Sequence, residues 1–346
     1  MYQASRSNDW KRVRRLQKLL LSSASAKLLA VRRVTQDNKG KNTAGVDGVK
    51  SLSPTQRLEV ANELNLCEKG KPSRRVWIPK PGKSEKRPLG IPIMANRAKQ
   101  ALGKLVLEPE WEAKFEPNSY GFRPARSCHD AIEAIYIAIN KKNVYVLDAD
   151  IRGCFDNIDH NALLKKLNTF PKLRRVIKGW LKSGVTDGSV FQETEAGTPQ
   201  GGVISPLLAN VALHGLEYET RKALSTDIFQ YMKETRGVAN HKDAQQKFCV
   251  IRYADDFIIM HESKEIILKA KQFVEEWLKQ IGLRLSETKT RLVHTLKSEE
   301  GIECGFNFLG FSIKQYRSEV RAKKYVTHIK PNIDSQKKHG ESISEY

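Results

Sequence analysis

Two adjacent acids set between two apolar runs constrain this chain more than any other feature: Val250-Ile251-Arg252-Tyr253-Ala254-Asp255-Asp256-Phe257-Ile258-Ile259-Met260. Each run is short, β-branched and aromatic, and therefore predicts a strand. Asp disfavours strands and favours turns, so the simplest geometry is a hairpin with Asp255 and Asp256 at or near its bend. The pair reads two ways. It is either a solvated Asp-Asp turn between ordinary core strands or part of a divalent-cation site, because hard cations take carboxylate oxygens. A third acid elsewhere in the chain decides between them.

That acid comes in Val144-Tyr145-Val146-Leu147-Asp148-Ala149-Asp150-Ile151-Arg152-Gly153-Cys154-Phe155-Asp156, which reads as a buried strand running into acids. Alternation puts Asp148 and Asp150 on one face, and Asp150, nearer the end, is the better placed to meet a ligand at the strand terminus. Asp156 and Asp159 read as caps of a helix starting near His160.

Charge narrows the partner. Lys and Arg number 60 against 39 Asp and Glu, a formal net charge of +21, which points to a polyanion, with nucleic acid the default. The surplus is concentrated at the start, where Met1 to Lys41 holds eleven basic residues and two acids. Trp10, Val13, Leu16 and Leu20 recur there at helical spacing among Arg12, Arg14, Arg15 and Lys18, predicting a basic amphipathic helix that favours phosphate contact; a second helix is expected over Ala24 to Val34. No apolar run reaches membrane-spanning length, so no membrane partner is expected, and the expected location is the cytoplasm, nucleoid-associated, or an organelle matrix. The five scattered cysteines lack zinc-site spacing and are expected to be reduced.

The remaining segments supply candidate supports. Arg75 to Pro79 and Arg87 to Pro92 read as strands flanking a basic loop, so that Lys80, Lys83, Lys86 and Arg87 are placed to close over a triphosphate. Ser127-Cys128-His129-Asp130 has capping-box spacing ahead of Ala131, Ile132, Ile135 and Ile139. Gly197-Thr198-Pro199-Gln200-Gly201-Gly202 is a nearly side-chain-free loop, followed by Ser205 as the expected N-cap and Pro206 at the first helical position. Glu217 to Lys247 reads as an inserted loop with helical pieces. Ser263 is expected to cap a helix ended by Gly282, Leu283 to Leu285 a further strand, Phe306 to Phe311 a hairpin, and the basic tail after Arg317 only the first turn of a helix. Acids gathered at one edge of an antiparallel sheet suit two-metal displacement at phosphorus, with the carboxylates holding the ions and basic residues clamping the triphosphate.

Tyr253-Ala254-Asp255-Asp256, Asp150 to Asp156, Thr198-Pro199-Gln200-Gly201-Gly202 and Asn118-Ser119-Tyr120-Gly121-Phe122-Arg123-Pro124 resemble, in order, the motif blocks of group II intron-encoded reverse transcriptases, and Thr43 to Gly48 resembles the family's N-terminal block. The resemblance implies an α+β right-hand polymerase fold of fingers and palm, its antiparallel palm sheet flanked by helices, with a basic helical N-terminal extension. The implied division is 1–48 for the extension, 49–320 for fingers and palm and 321–346 for the start of a thumb or maturase region. The implied metal ligands are Asp150, Asp255, Asp256 and the carbonyl of Ile151, holding two Mg2+ ions or alternatively Mn2+. Lys80, Arg87, Gln200 and Gly201 then bind the nucleotide, Phe155 gates against a ribose 2′-hydroxyl, Lys289 acts as acid to the pyrophosphate, and Phe308-Leu309-Gly310-Phe311 forms a primer grip. The implied activity is RNA-directed DNA polymerase, with intron RNA, an RNA template with DNA primer, and deoxynucleoside triphosphates as partners. Full-length members continue into a thumb, so this chain is expected to be truncated before it. The alternatives are a polymerase-inactive, maturase-like RNA-binding splicing factor and, disfavoured by Phe155, an RNA-dependent RNA polymerase.

Overall fold

The computed structural model describes residues 1–66, 70–79, 86–140, 142–188, 190–299, 301–318 and 325–344. In chain order, the first half holds helices α1 (Tyr2–Arg6), α2 (Trp10–Ser22), α3 (Ala24–Arg32) and α4 (Pro54–Glu63), strands β1 (Ser73–Pro79) and β2 (Lys86–Ile91), helices α5 (Met94–Glu112) and α6 (Cys128–Ile139), and strand β3 (Tyr145–Asp150). Then come α7 (Cys154–Asn157), α8 (His160–Leu167), α9 (Pro171–Leu181), β4 (Val185–Asp187), β5 (Val190–Gln192) and α10 (Ser205–Leu213). The last part holds α11 (Leu216–Ala223), α12 (Ser225–Arg236), α13 (His241–Gln245), β6 (Cys249–Tyr253), β7 (Asp256–His261), α14 (Lys264–Lys279), β8 (Arg291–His294), β9 (Phe306–Phe308), β10 (Phe311–Arg317), β11 (Tyr325–Pro331) and α15 (Ile333–Ser344). No described helix is long and apolar enough to cross a membrane.

The chain forms two compact units, each assembled from separate stretches. The first takes residues 1–115, 153–214 and 281–283. Its sheet runs β2-β1-β4-β5, and α3, α4 and α5 bury Ala30, Val31, Leu64, Ala98 and Leu102 in a common core. The buried Arg97 guanidinium donates to the carbonyls of Pro92 at 2.7 Å and Gly40 at 3.1 Å, which ties the loop before Thr43 to the start of α5. Gly45 follows in that loop because a Cβ there would lie 2.7 Å from the Ile93 backbone.

The second unit takes 116–152, 215–280 and 284–346. Its antiparallel sheet runs β6-β7-β3-β8, covered on one face by α6, whose Ile135 and Ile139 meet Val146, Ile251 and Ile258 in the core. Helix α6 starts where its sequence dictates: Ser127 and Asp130 form the reciprocal capping box. A second sheet, β11-β10-β9, turns tightly at Leu309 and Gly310, both with positive φ.

Four expectations are revised. The stretch from Glu217 to Lys247 is almost wholly helical, because Leu216, Thr220, Ile228, Met232 and Ala244 face inward at helical spacing. The tail adds β11, paired with β10 along its length, and a twelve-residue helix rather than one turn. Leu283 to Leu285 gives only a single bridge, Leu285 to Ile151. Ser205 is the first helical residue rather than the cap, its hydroxyl spent on the Pro199 carbonyl at 2.8 Å. Among the described residues, Cys128, Cys154, Cys249 and Cys304 are free thiols, as expected; Cys67 lies outside them.

Candidate active site

In the second unit the two apolar runs form an antiparallel hairpin closed by Tyr253 opposite Asp256, leaving Ala254 and Asp255 as its bend. Ala254 has a φ of +59°, the sharp reversal a two-residue hairpin connection demands. On the other side of β7, Asp256 is registered against Asp150 at the end of β3. The turn and the strand end therefore bring the two sequence-predicted acidic elements together. The chain after Asp150 is held as well: Ser286 N–H donates to the Asp150 carbonyl at 2.8 Å, Arg152 N–H donates to the Arg284 carbonyl at 2.9 Å, and the Ile151 side chain is buried.

The electrostatics are those of crowded like charges. Burial, then the charges of Asp255 and Asp150, push the Asp256 carboxyl up to about 7. Asp148, two residues before Asp150 and opposite Arg291, is pushed up to about 6, first by burial and also by Asp150. The Lys289 ammonium hydrogen-bonds the Asp150 carboxylate, which raises its own pKa and keeps it protonated near neutrality.

No set of three or more His, Cys, Asp or Glu side chains is closed around a single point among the described residues. The chemistry of the donor set nevertheless fits hard cations. Asp150, Asp255 and Asp256 offer only oxygen ligands, their mutual repulsion is what a cation relieves, and one cation, the Lys289 ammonium, already stands on Asp150.

Two supports of the bend were not recognised in the sequence. Arg252, 2% exposed, turns its guanidinium back to donate to the Ala254 carbonyl at 2.9 Å and to the Ser119 hydroxyl at 2.7 Å. The loop from Asn118 to Tyr120 pairs with it: Arg252 N–H donates to the Asn118 carbonyl at 2.9 Å, and Tyr120 N–H to the Arg252 carbonyl at 2.8 Å. Gly121 then passes so close that a Cβ would lie 2.3 Å from the Ala254 nitrogen. Tyr120 is buried in the core while Phe122 stays exposed, so the first aromatic of that loop pins it and only the second faces solvent. The signal for Arg252 was its charge inside an apolar strand.

The other predicted site residues lie in the first unit. Phe155 sits on the short α7, and Gln200 and Gly201 on the glycine-rich loop. That loop is closed by backbone contacts: Thr198 N–H donates to the Phe155 carbonyl at 2.6 Å, Gly197 N–H to the Ile158 carbonyl at 2.8 Å, and Gly90 N–H to the Gln200 carbonyl at 2.5 Å. Gly197, at φ +84°, admits no side chain, since a Cβ would meet the Phe155 carbonyl oxygen at 2.5 Å. His160, buried at the head of α8, donates from Nε2 to the Gly197 carbonyl at 2.7 Å. Asp159 caps α8 as expected, but Asp156 does not; its carboxylate accepts from the Gln200 amide at 2.8 Å. A cavity of about 490 Å³ opens beside Arg75, Trp77, Gly90, Phe155, Asp156 and Gln200. Arg87 is exposed on β2, whereas Lys80 lies outside the described residues.

Residues 78–313 match the family model of the reverse transcriptase (RNA-dependent DNA polymerase), and residues 1–64 match that of the N-terminal domain of reverse transcriptase. The chain belongs to the reverse transcriptase family. Protein YkfC of Escherichia coli (strain K12) is 31% identical over 344 residues, covering 91% of this chain and 87% of that protein. The group II intron-encoded protein LtrA of Lactococcus lactis subsp. cremoris is 30% identical over 333 residues, covering 81% of this chain and 54% of LtrA, so the chain spans about half of that relative. The apo telomerase of Candida tropicalis, truncated from its C-terminal domain, superposes with a TM-score of 0.52 at 14% identity over 76% of this chain and 55% of that one, a likeness of fold. The family carries RNA-directed DNA polymerase activity on a right-hand fold and works with divalent cations, and the chain's relatives include group II intron-encoded proteins.

Proposed function

We propose that this chain is the RNA-directed DNA polymerase of a group II intron, copying intron RNA from a DNA primer with deoxynucleoside triphosphates and supporting retromobility and splicing. The observation that carries this reading is the acid bend, with Asp255 in a clamped hairpin turn and Asp256 registered against Asp150. Asp150, Asp255 and Asp256, with the Ile151 carbonyl, would hold two Mg2+ ions. When bound, such ions activate the attacking hydroxyl and neutralise charge on the leaving oxygen.

The chain's own residues then divide the work. The Lys289 ammonium, protonated at neutrality, is poised to hand a proton to the departing pyrophosphate. Lys80 and Arg87 hold the triphosphate as cations. Gln200 and Gly201 seat the nucleotide: with its amide nitrogen spent on Asp156, Gln200 presents its carbonyl oxygen as an acceptor. Phe155 excludes a ribose 2′-hydroxyl and so selects deoxynucleotides. In domain terms, 49–320 supplies fingers and palm, 1–48 a basic extension for RNA, and 321–346 the approach to a thumb. The expected location is the compartment that holds the intron RNA.

Extension of a DNA primer on an RNA template with magnesium tests the reading. Wild type is expected to incorporate deoxynucleotides and discriminate against ribonucleotides, and Asp255→Ala to incorporate neither. Equal incorporation by both proteins would overturn it, and intron RNA binding without any extension would favour the splicing factor.

A further inference from the structure

A second basic site stands in the first unit, apart from the acid bend and the glycine-rich loop, and its Lys18 and Lys27 belong to the basic extension assigned to RNA above. Helices α2, α3 and α9 and the segment after α4 enclose a cavity of about 670 Å³. Lys18, Lys27, Lys172 and Arg175 line it together with Phe170 and Asn65, and among the described residues no acid does. None of the four cations takes part in an ion pair with a described acid. Beneath them Leu64 and Leu66 are buried and Phe170 is half-buried, so the floor is apolar and the rim cationic.

The walls are fixed by polar contacts rather than left as loose surface charge. The Glu110 carboxylate, fully buried on α5, accepts from Arg14 at 2.7 Å and from the buried Gln17 amide at 2.7 Å. Arg14 reaches on to donate to the Asn168 carbonyl at 2.6 Å, in the turn that delivers Phe170 and Pro171 to the head of α9. That contact sets Phe170 beside α2, where the Lys18 ammonium lies 5.9 Å from its ring centroid. Phe170 is the residue before α9 and offers no capping side chain, so the first N–H groups of that eleven-residue helix stand beside Lys172.

A cavity with cations at its rim and an aromatic face at its side suits a ligand that is both anionic and flat. Inorganic phosphate would use only the rim. A nucleotide in an unpaired strand uses both, stacking its base on the ring while its flanking phosphates meet the cations. We propose that this cavity seats one unstacked nucleotide of a single-stranded RNA, its base on Phe170 and its phosphates on Lys18, Lys27, Lys172 and Arg175. The choice of RNA over DNA rests on the function proposed above; the site itself rests on the geometry.

Anisotropy titration of the whole chain with a labelled, unstructured single-stranded RNA of about 20 nucleotides tests it across roughly 50–200 mM salt, without primer, nucleotide or magnesium. Phe170→Leu is expected to weaken binding about tenfold with its salt slope kept, since only stacking is lost. Lys172→Gln/Arg175→Gln is expected to lower the slope by about 1.4, two phosphate contacts on a single strand. Because both charges are exposed, the double variant keeps its fold even if Phe170→Leu does not. Unchanged affinity and slope in the double variant would overturn the site. So would a folded Phe170→Leu that binds as wild type, for then the charges act as an unspecific surface. A DNA strand of the same sequence binding more tightly than the RNA would overturn the choice of RNA. No step of the assay needs catalysis, so a chain that proves inert in extension yet shows these losses fails the proposed polymerase and leaves this site standing.

Discussion

The acid bend and the glycine-rich loop are built on opposite principles. At the bend, like charges are forced together and an exceptional support is needed, which the buried Arg252 and the adjoining Ser119–Gly121 segment provide. At the loop there is little charge to oppose, and main-chain hydrogen bonds close it, with Gly197 fitted against Phe155 and Asp156. The difference teaches where each site is fragile. The bend should fail when a supporting side chain or a close backbone passage is altered, and the loop should lose substrate affinity before it loses chemistry.

Gly121→Ala is expected to act most strongly, because its new Cβ would have to push the Ala254 backbone aside. Loss of about 3–4 kcal/mol in urea unfolding and of all measurable extension is expected. A variant as stable and active as wild type would show that the bend is not clamped from this side. Arg252→Met should follow, leaving the Ala254 carbonyl and the Ser119 hydroxyl without their charged donor. It should cost about 2–3 kcal/mol and about a hundredfold in kcat with KM for nucleotide nearly kept. If KM rises instead, Arg252 belongs to nucleotide binding and the contrast between the two sites weakens.

Asp156→Ala tests the loop. Releasing the Gln200 amide is expected to raise the nucleotide KM about tenfold with kcat within a factor of about two, as for one lost hydrogen bond. Asp156→Asn, which still offers an acceptor, should restore the wild-type value; if it does not, the carboxylate charge matters rather than the orientation of Gln200.

The last effect, confined to acid pH, concerns His261, at the far end of β7 from the acids. Burial, and then the charge of Lys142, holds its pKa down to about 3, so it is neutral in the folded chain, while in the unfolded chain it titrates near 6.5. Unfolded chains therefore bind the extra proton between those values. The contribution is complete above about pH 6.5 and is lost as pH falls, at up to about 1.4 kcal/mol per pH unit. Asp148 and Asp256 act in the opposite sense, since their raised pKa values make the folded state the better proton binder between about 4 and 7. Measuring urea midpoints from pH 7 to 5 for wild type and His261→Gln isolates the first term. The variant should lose stability less steeply on acidification, and parallel curves would show that His261 carries no such penalty.

The acid bend was legible because Asp interrupts β-branched runs at a place where only a turn accommodates it; period two put Asp148 and Asp150 on one face, and nearness to the strand end preferred Asp150. The capping box at Ser127 and the cap at Ser263 were legible because a cap is a local contact between residues three apart. What escaped depends on distant partners. Arg252 acquires its role only when Ser119 and the Ala254 carbonyl are brought to it, Asp156 reaches a glutamine 44 positions on, and β11 forms by pairing with β10 along its whole length. Helices α11 to α13 were obscured by a sparse inward stripe among many charges, which composition reads as loop.

The central claim is that the bend and the end of β3, rather than any acid in their neighbourhood, carry the chemistry. Single-turnover addition of one deoxynucleotide to a primer on an RNA template, comparing Asp255→Asn with Asp148→Asn, tests it most directly. Asp148→Asn is expected to react within about tenfold of wild type, and Asp255→Asn at least about a thousandfold more slowly, the loss of several kcal/mol of charge stabilisation. Equal rates in the two variants, or a reversed order, would contradict the account.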